Sequence, residues 1–473
     1  MDTPIVDFVG RYAQSGISRL HMPGHKGRSL LGFEPLDLTE IQGADELYQP
    51  EGIIAQSEAN ATRLFGTAHT YYSAEGSSQC IRAMLCLALQ GAPRGSGRPV
   101  LLAARNAHKA LLYAAALLDF DIRWLWPQPQ DAGALCSCPL SPQVLEQALQ
   151  QLKEQGVAPF GVYVTSPDYL GGVQDIRALA AVCDAAGVPL LVDNAHGAYL
   201  GFLPGEPRHP IALGAAMCCD SAHKTLPVVT GGAYLHLGSK APVQEEAAVR
   251  GALALFGSTS PSYLILQSLD ACNGQLAGDY PARLGQCCQE LAELRQALNQ
   301  AAEAAGAPVP LALEGPVQEP LKLTLDAAAL GCTGTALAQQ LRQGQMECEY
   351  ADPRYVVLMF TPENPPRDRA RLQDFLMKLL GQRSGKQPVP QDPAGDFVAL
   401  EQQVVQRCTI RQAVLGPQER LPAAQSLGRV CAMPTVSCPP AIPIVVSGEE
   451  ITPAALELME RYQVPEVSVV RQL

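Results

Sequence analysis

The stretch Asp220-Ser221-Ala222-His223-Lys224-Thr225-Leu226-Pro227 decides how the rest of this chain is read. Of eight lysines in the sequence, Lys224 alone follows an apolar run (215–219), carries Ser and His just before it, and precedes a Gly-Gly pair, Gly231-Gly232. An amine in that setting suits covalent work, because it can condense with a carbonyl compound. Upstream, Pro189-Leu190-Leu191-Val192-Asp193 is an apolar run ending in a carboxylate, 31 positions before Lys224. A surface lysine and a helix-capping aspartate would explain either residue alone. The pair gains meaning from the motifs around it.

Working outward, strands and helices alternate. Strands are expected at 100–103, 122–125, 160–165 and 189–192, and helices at 110–118, 143–155 and 176–186. Strands separated by helices of ten or more residues argue for an α/β fold with a mostly parallel sheet covered on both faces. The polar clusters fall just after the strands, on the rim where such folds bind ligands. Arg105-Asn106-Ala107-His108-Lys109 follows the first of these strands, and Asn194-Ala195-His196-Gly197 follows Asp193. His108 at its strand-to-helix junction suits either a flat ring stacked on a ligand or a helix cap.

Before the first of these strands, Tyr71-Tyr72-Ser73-Ala74-Glu75-Gly76-Ser77-Ser78-Gln79 leads into an apolar helix at 80–89. Gly followed by two Ser at a helix start sets N–H groups and hydroxyls where they can hold a phosphate. Capping by Ser77 or Ser78 would use the same residues. Residues 1–16 read as a short amphipathic helix, 36–52 as a loop and 58–65 as a helix. His21-Met22-Pro23-Gly24-His25-Lys26-Gly27 is a polar turn. The strand at 231–237 is followed by a hydroxyl-rich loop, 256–263, and helices at 264–272 and 281–305. A smaller α/β unit follows, with strands at 321–325 and 355–360 and helices at 335–342 and 367–380. Residues 384–393 have the composition of a linker. Segments are therefore expected at 1–55 (arm), 56–305 (large domain), 306–384 (small domain) and 394–473 (C-terminal subdomain).

Composition narrows the function classes. A chain of 473 residues with 47% hydrophobic residues can bury a sizeable core. A net charge of −12 argues against a nucleic-acid footprint. No apolar run reaches the roughly 18 residues of a membrane span. The fifteen cysteines are odd in number, sit mostly in apolar runs and lack zinc-site spacing. With no signal peptide at 1–15, they imply free thiols in a reducing cytoplasm and no structural metal. An aspartate for a pyridinium nitrogen and a lysine for an aldehyde, together with a phosphate turn, are what pyridoxal 5'-phosphate requires of a protein.

Taken together, these motifs resemble the pyridoxal-phosphate Orn/Lys/Arg decarboxylases. The resemblance runs nearly end to end: HMPGHKG at 21–27, PEG at 50–52, RNAHK at 105–109, SPDYLGG at 166–172 and VDNAHG at 192–197. SAHK at 221–224, STSPSYL at 258–264, ADPRYVVLMF at 351–360 and PPAIP at 439–443 continue it. HMPGHKG starts at residue 21, as in a short form without an N-terminal wing domain. The resemblance implies the aspartate-aminotransferase-like fold type I, with a smaller C-terminal α/β domain. It assigns Lys224 as the covalent anchor, Asp193 as partner of the ring nitrogen and His108 as the stacking ring. It implies that Ser77, Ser78, Ser221 and His223 hold the phosphate, and that Thr259 reaches a partner subunit's phosphate across a homodimer interface.

The same comparison exposes departures. Glu75 stands where the family has Asn, Asp168 where Thr is common, and Ala441 where the last motif has Gly. In the segment Gln425-Ser426-Leu427-Gly428-Arg429 the usual acidic position is Gln425. That carboxylate is a candidate for meeting the distal cation of a basic substrate, and Glu449 is a possible substitute. The leading expectation is decarboxylation of a basic amino acid to a polyamine or its precursor. A non-basic substrate, an elimination, or an inert cofactor-binding paralogue are the alternatives.

Overall fold

A computed structural model describes residues 1–93, 97–131, 134–315, 317–382, 393–433 and 444–471. The PPAIP motif at 439–443 and residues 384–392 of the expected linker lie outside them. Twelve strands occur among the described residues. They are β1 His69–Ser73, β2 Val100–Ala104, β3 Asp121–Leu125, β4 Gly161–Thr165, β5 Leu190–Asp193, β6 Met217–Asp220, β7 Ala233–Leu237, β8 Lys322–Asp326, β9 Tyr350–Ala351, β10 Tyr355–Met359, β11 Gln418–Pro422 and β12 Glu466–Val470. The chain divides into two compact units. One comprises Met1–Leu101, Leu149–Ser166 and Asp175–Arg283; the other comprises Leu102–Ala148, Pro167–Gln174 and Leu284–Leu473.

In the first unit the strands lie in the order β1-β7-β6-β5-β4. β4, β5 and β6 run parallel, and β7 is antiparallel to both β6 and β1. Four of these five strands therefore point the same way, as the α/β reading expects. Every residue of β5, β6 and β7 is buried, which is why they appear in the sequence as continuous apolar runs. The crossover helix Ile176–Ala186 starts where Asp175 accepts from the Ala178 N–H and stops at Gly187, φ 68°. The register sets Asp193 beside both Thr165 and Cys219, so the C-terminal ends of β4, β5 and β6 are level.

Two helices begin earlier than the sequence suggests. Helix Ile53–Phe65 has Gly52 as its N-cap and no side-chain cap of its own. Asp45 does that work from upstream: its carboxylate accepts from the N–H groups of Glu51, Gly52 and Ile54 at 2.8–3.0 Å. Helix Gly76–Gly91 likewise starts four residues before the expected apolar run. The N-terminal helix Pro4–Gln14 buries Ile5 and Val9. Asp270 Oδ2 accepts from the Ile5 and Val6 N–H groups at its start.

The second unit contains β2 from Leu102 onward, β3, the antiparallel sheet β8-β10-β9 and the antiparallel pair β11-β12. One core joins Tyr350, Tyr355 and Val357 to Leu400, Cys431, Val445, Ile451, Leu458 and Val469. Helix Ile410–Leu415 opens with a capping box, Thr409 with Gln412. Arg411 from that helix donates to the Ala116 and Leu117 carbonyls at the end of helix Lys109–Leu118. No described helix is long and apolar enough to cross a membrane. The fourteen described cysteines are free.

Candidate active site

Most sequence-selected residues gather at the C-terminal ends of the strands of the first unit. Asp193 ends β5 and is 2% exposed. Its Oδ2 accepts from the Tyr163 hydroxyl at 2.9 Å and its Oδ1 from the Ala195 N–H at 3.2 Å. The Cys219 thiol lies 3.7 Å from the same Oδ1. Burial, and then the neighbouring Asp193 charge, push the Tyr163 phenol well above its ordinary range, so it stays a donor. The carboxylate is thus fixed in one orientation by two donors.

β6 ends at Asp220, and Ser221 N-caps the single helical turn Ala222–Thr225 that carries Lys224. The Ser221 hydroxyl donates to Ser77 Oγ at 2.7 Å. Ser77 and Ser78 lie in the first turn of helix Gly76–Gly91, whose N-cap residue, the exposed Glu75, makes no side-chain cap bond. The helix therefore presents first-turn N–H groups beside two serine hydroxyls, a donor set suited to a phosphate. The Gly231-Gly232 pair is explained here. Gly231 has φ 103°, and its carbonyl accepts from the Gly76 N–H at 2.8 Å. The Gly232 carbonyl accepts from the His223 N–H and lies 2.9 Å from its Nδ1. Burial lowers the proton affinity of His223, and Lys224 beside it lowers it further, while the bond to Gly232 opposes both.

Beneath this turn lies a buried cluster that the sequence did not reveal. Asp220 Oδ1 accepts from Asn194 Nδ2 at 2.6 Å, and its Oδ2 lies 3.1 Å from both His209 Nε2 and His236 Nε2. Burial would raise the Asp220 carboxyl, but the two imidazoles outweigh it and hold the group below the usual range. Cys218 adjoins His209 at 3.9 Å, which makes His209, Cys218 and Asp220 a group of potential metal ligands. Here they form a hydrogen-bonded network. Tyr163 and His196 were also missed. Tyr163 looks like a core strand residue, and the His196 contact, Nε2 to Lys224 Nζ at 3.1 Å, depends on how two loops meet.

Thr259 stands apart. It is exposed, and no hydrogen bond joins it to Ser77 or Ser221 among the described residues. Its loop is seated by Gly257, where any Cβ would collide with the Tyr48 hydroxyl and the Gln79 amide. The 21–27 turn is held by its own segment: His25 Nε2 lies 3.1 Å from Asp37, and Lys26 donates to the His21 carbonyl.

In the second unit His108 is a helix cap: its Nδ1 accepts from the Ala110 N–H at 3.2 Å, at the start of helix Lys109–Leu118. That bond fixes the plane of the ring. Asp168 is buried and shapes its own loop, accepting from Ser137 and from the Leu170 and Gly172 N–H groups. Gln425 is exposed. Glu449 is committed to Arg105, accepting from both of its terminal nitrogens at 2.7 and 2.8 Å, with both side chains 2% exposed. The Arg105 guanidinium lies 4.9 Å from the ring centres of both Trp124 and Trp126.

The donor set of the first unit fits pyridoxal phosphate. It offers an amine on a half-buried lysine, a doubly anchored carboxylate with the small residue Ala195 two positions on, and hydroxyls at a helix N-terminus.

The family model for the Orn/Lys/Arg decarboxylase major domain matches residues 3–312. The arginine decarboxylase of Bacillus subtilis is 28% identical over 464 residues, covering 95% of this chain and 91% of that protein. The fold is similar to that of Escherichia coli constitutive lysine decarboxylase, with TM-score 0.76 at 17% identity over 99% of this chain and 82% of the other. It is similar too to lysine decarboxylase A of Pseudomonas aeruginosa, with TM-score 0.79 at 17% identity, 99% of this chain and 80% of the other.

Proposed function

Because the chain belongs to the Orn/Lys/Arg decarboxylase family, we propose that it decarboxylates a basic amino acid (arginine, lysine or ornithine) with pyridoxal phosphate. The observation that carries this reading is the convergence of Lys224, Asp193 and the Ser77–Ser221 pair at one end of one sheet. When bound, the cofactor supplies an electron sink for the bond to the departing carboxylate. Lys224 gives the amine that anchors its aldehyde carbon. Asp193 keeps a proton on the ring nitrogen, and Tyr163 and the Ala195 N–H hold that carboxylate in place. Ser77, Ser78, Ser221 and His223, with the helix N-terminus, hold the phosphate. The family resemblance gives His108 the role of the stacking ring, and within its own unit the Ala110 bond sets the plane of that ring.

Specificity rests on the far end of the substrate. Gln425 is neutral, and Glu449 is occupied by Arg105. Neither is available to meet a distal cation, which favours a non-basic amino acid as the second reading. Carbon dioxide release measured across the twenty amino acids separates the two. Release from arginine, lysine or ornithine supports the first; release only from another supports the second; release from none refutes both. Borohydride reduction of the protein with its cofactor is expected to fix the label on Lys224, and a label on another lysine refutes the site.

A homodimer accords with the surface. Leu20, Leu30 and Leu31 are 94%, 82% and 78% exposed, close to Ile17, Met22, Phe33 and Leu36, which are exposed as well. Large exposed apolar side chains concentrated in one segment commonly mark an interface, and a second copy is the occupant we propose, with Thr259 facing the partner's phosphate site. Sedimentation velocity is expected to show a dimer. The free thiols support a cytoplasmic setting.

A further inference from the structure

We propose that His196 is the acid–base partner of Lys224, taking the ammonium proton through Nε2 and so leaving the amine able to attack a carbonyl carbon. The inference rests on the assignment of Lys224 as the anchoring amine. His196 Nε2 lies 3.1 Å from Lys224 Nζ, and the imidazole is only 4% exposed.

The contact is built by two fixed turns. His196 sits on the turn 194–197, closed by the Gly197 N–H donating to the Asn194 carbonyl at 2.8 Å. Gly197 is required there, since any Cβ would strike the Asn194 side chain. Asn194 Nδ2 in turn donates to Asp220 Oδ1 at 2.6 Å. Asp220 is the last residue of β6, directly before the Ser221–Lys224 turn. One carboxylate therefore ties the histidine's turn to the strand that delivers the lysine, and the separation of the two nitrogens follows from that tie.

The chemistry balances without another reactant. An N–H bond at Nζ breaks, its electron pair stays on Nζ, and an N–H bond forms at Nε2. The imidazolium then holds a proton that can be given to the amine leaving at the end of a turnover. In water this transfer runs uphill by about 10⁴-fold, given ordinary proton affinities near 10.4 and 6.5. Ionisable neighbours of the pair within the first unit include His223, which adjoins Lys224 in the chain, Asp193, three residues before His196, and Asp220, engaged by His209 and His236.

The test follows capture of pyridoxal phosphate by cofactor-free protein, read by absorbance in stopped flow from about pH 6 to 9. Borohydride and peptide mass spectrometry then identify the lysine that is labelled. His196→Gln is expected to slow capture at neutral pH by about 10²-fold and to move the rate profile to higher pH, with the label still on Lys224. Imidazole is expected to restore the rate of His196→Gly in proportion to its unprotonated fraction. Capture by His196→Gln at the wild-type rate and with the wild-type profile overturns the proposal while leaving Lys224 as the anchor. Label on a different lysine in the wild-type protein overturns both.

Discussion

Glu449 lies in the second unit paired with Arg105, and replacing it with glutamine separates a structural role from a substrate-binding one. In Glu449→Gln the Arg105 guanidinium stays between Trp124 and Trp126 but loses its counter-charge. Two charge-assisted bonds of 2.7 and 2.8 Å are lost or weakened, and the Val446 N–H, which donates to Oε2 at 2.9 Å, faces an amide. Both partners are 2% exposed, so water does not compensate. Removing one partner of such a pair is expected to destabilise by about 3–5 kcal/mol. The cation–π contacts persist in the variant and do not offset that loss. The expected result is a fall of the melting midpoint by on the order of 10 °C, followed by far-ultraviolet circular dichroism. KM for the preferred amino acid is expected to be unchanged below the new midpoint. Replacing both residues with apolar ones, Arg105→Met with Glu449→Leu, is expected to recover most of the stability. A variant with wild-type melting and a greatly raised KM for basic substrates would refute the argument and make Glu449 the group that meets the distal cation.

Tyr163→Phe removes one of the two donors to Asp193 and is expected to lower kcat about tenfold with KM little changed, the loss of a buried bond to a charge of roughly 1.5 kcal/mol; a larger effect on KM than on kcat would contradict it. Ser77→Ala is expected to weaken pyridoxal phosphate binding about fivefold, the equivalent of one hydrogen bond of roughly 1 kcal/mol, measured by equilibrium dialysis of cofactor-free protein. Asp220 gives a pH dependence. Its proton affinity is lowered on folding, so its contribution to stability is fully present above about pH 4, the unfolded range, and is lost as pH falls through the lower folded value. Asp220→Asn is expected to cost about 3 kcal/mol at neutral pH and to flatten the acid limb of the stability profile; urea titrations at neutral and acid pH that superimpose for the two proteins would sink it.

Much of this architecture was legible because its strands are buried on both sides. The runs ending at Asp193 and Asp220 are apolar throughout, and helix Ile176–Ala186 is bracketed by an Asp cap and a Gly stop. β1, with the sequence His-Thr-Tyr-Tyr-Ser, was not: it lacks aliphatic residues, and its partner β7 lies more than 150 residues away. Helix Ile53–Phe65 hid its start because its capping carboxylate, Asp45, comes from a distant turn. Helix Glu246–Leu255 and the pair β11-β12 were passed over; within the pair, Gln-Glu-Arg-Leu-Pro of β11 has no strand-like alternation. Asp193, Ser77 and Ser221 could be picked out since each closes a strand or lies at a helix start, and Lys224 because it follows Ser221 within one turn. Partnerships could not: Arg105 and Glu449 are 344 residues apart, and the His196–Lys224 contact depends on a tie through Asp220.

The chain has two tryptophans, and both face the same guanidinium. Its indole emission is therefore a report from a single place. Any event that draws Arg105 out from between the rings changes that light, whatever happens in the unit that carries Lys224. Nature has in effect labelled one half of the molecule and left the other dark, so the melting of the two can be told apart without attaching a dye.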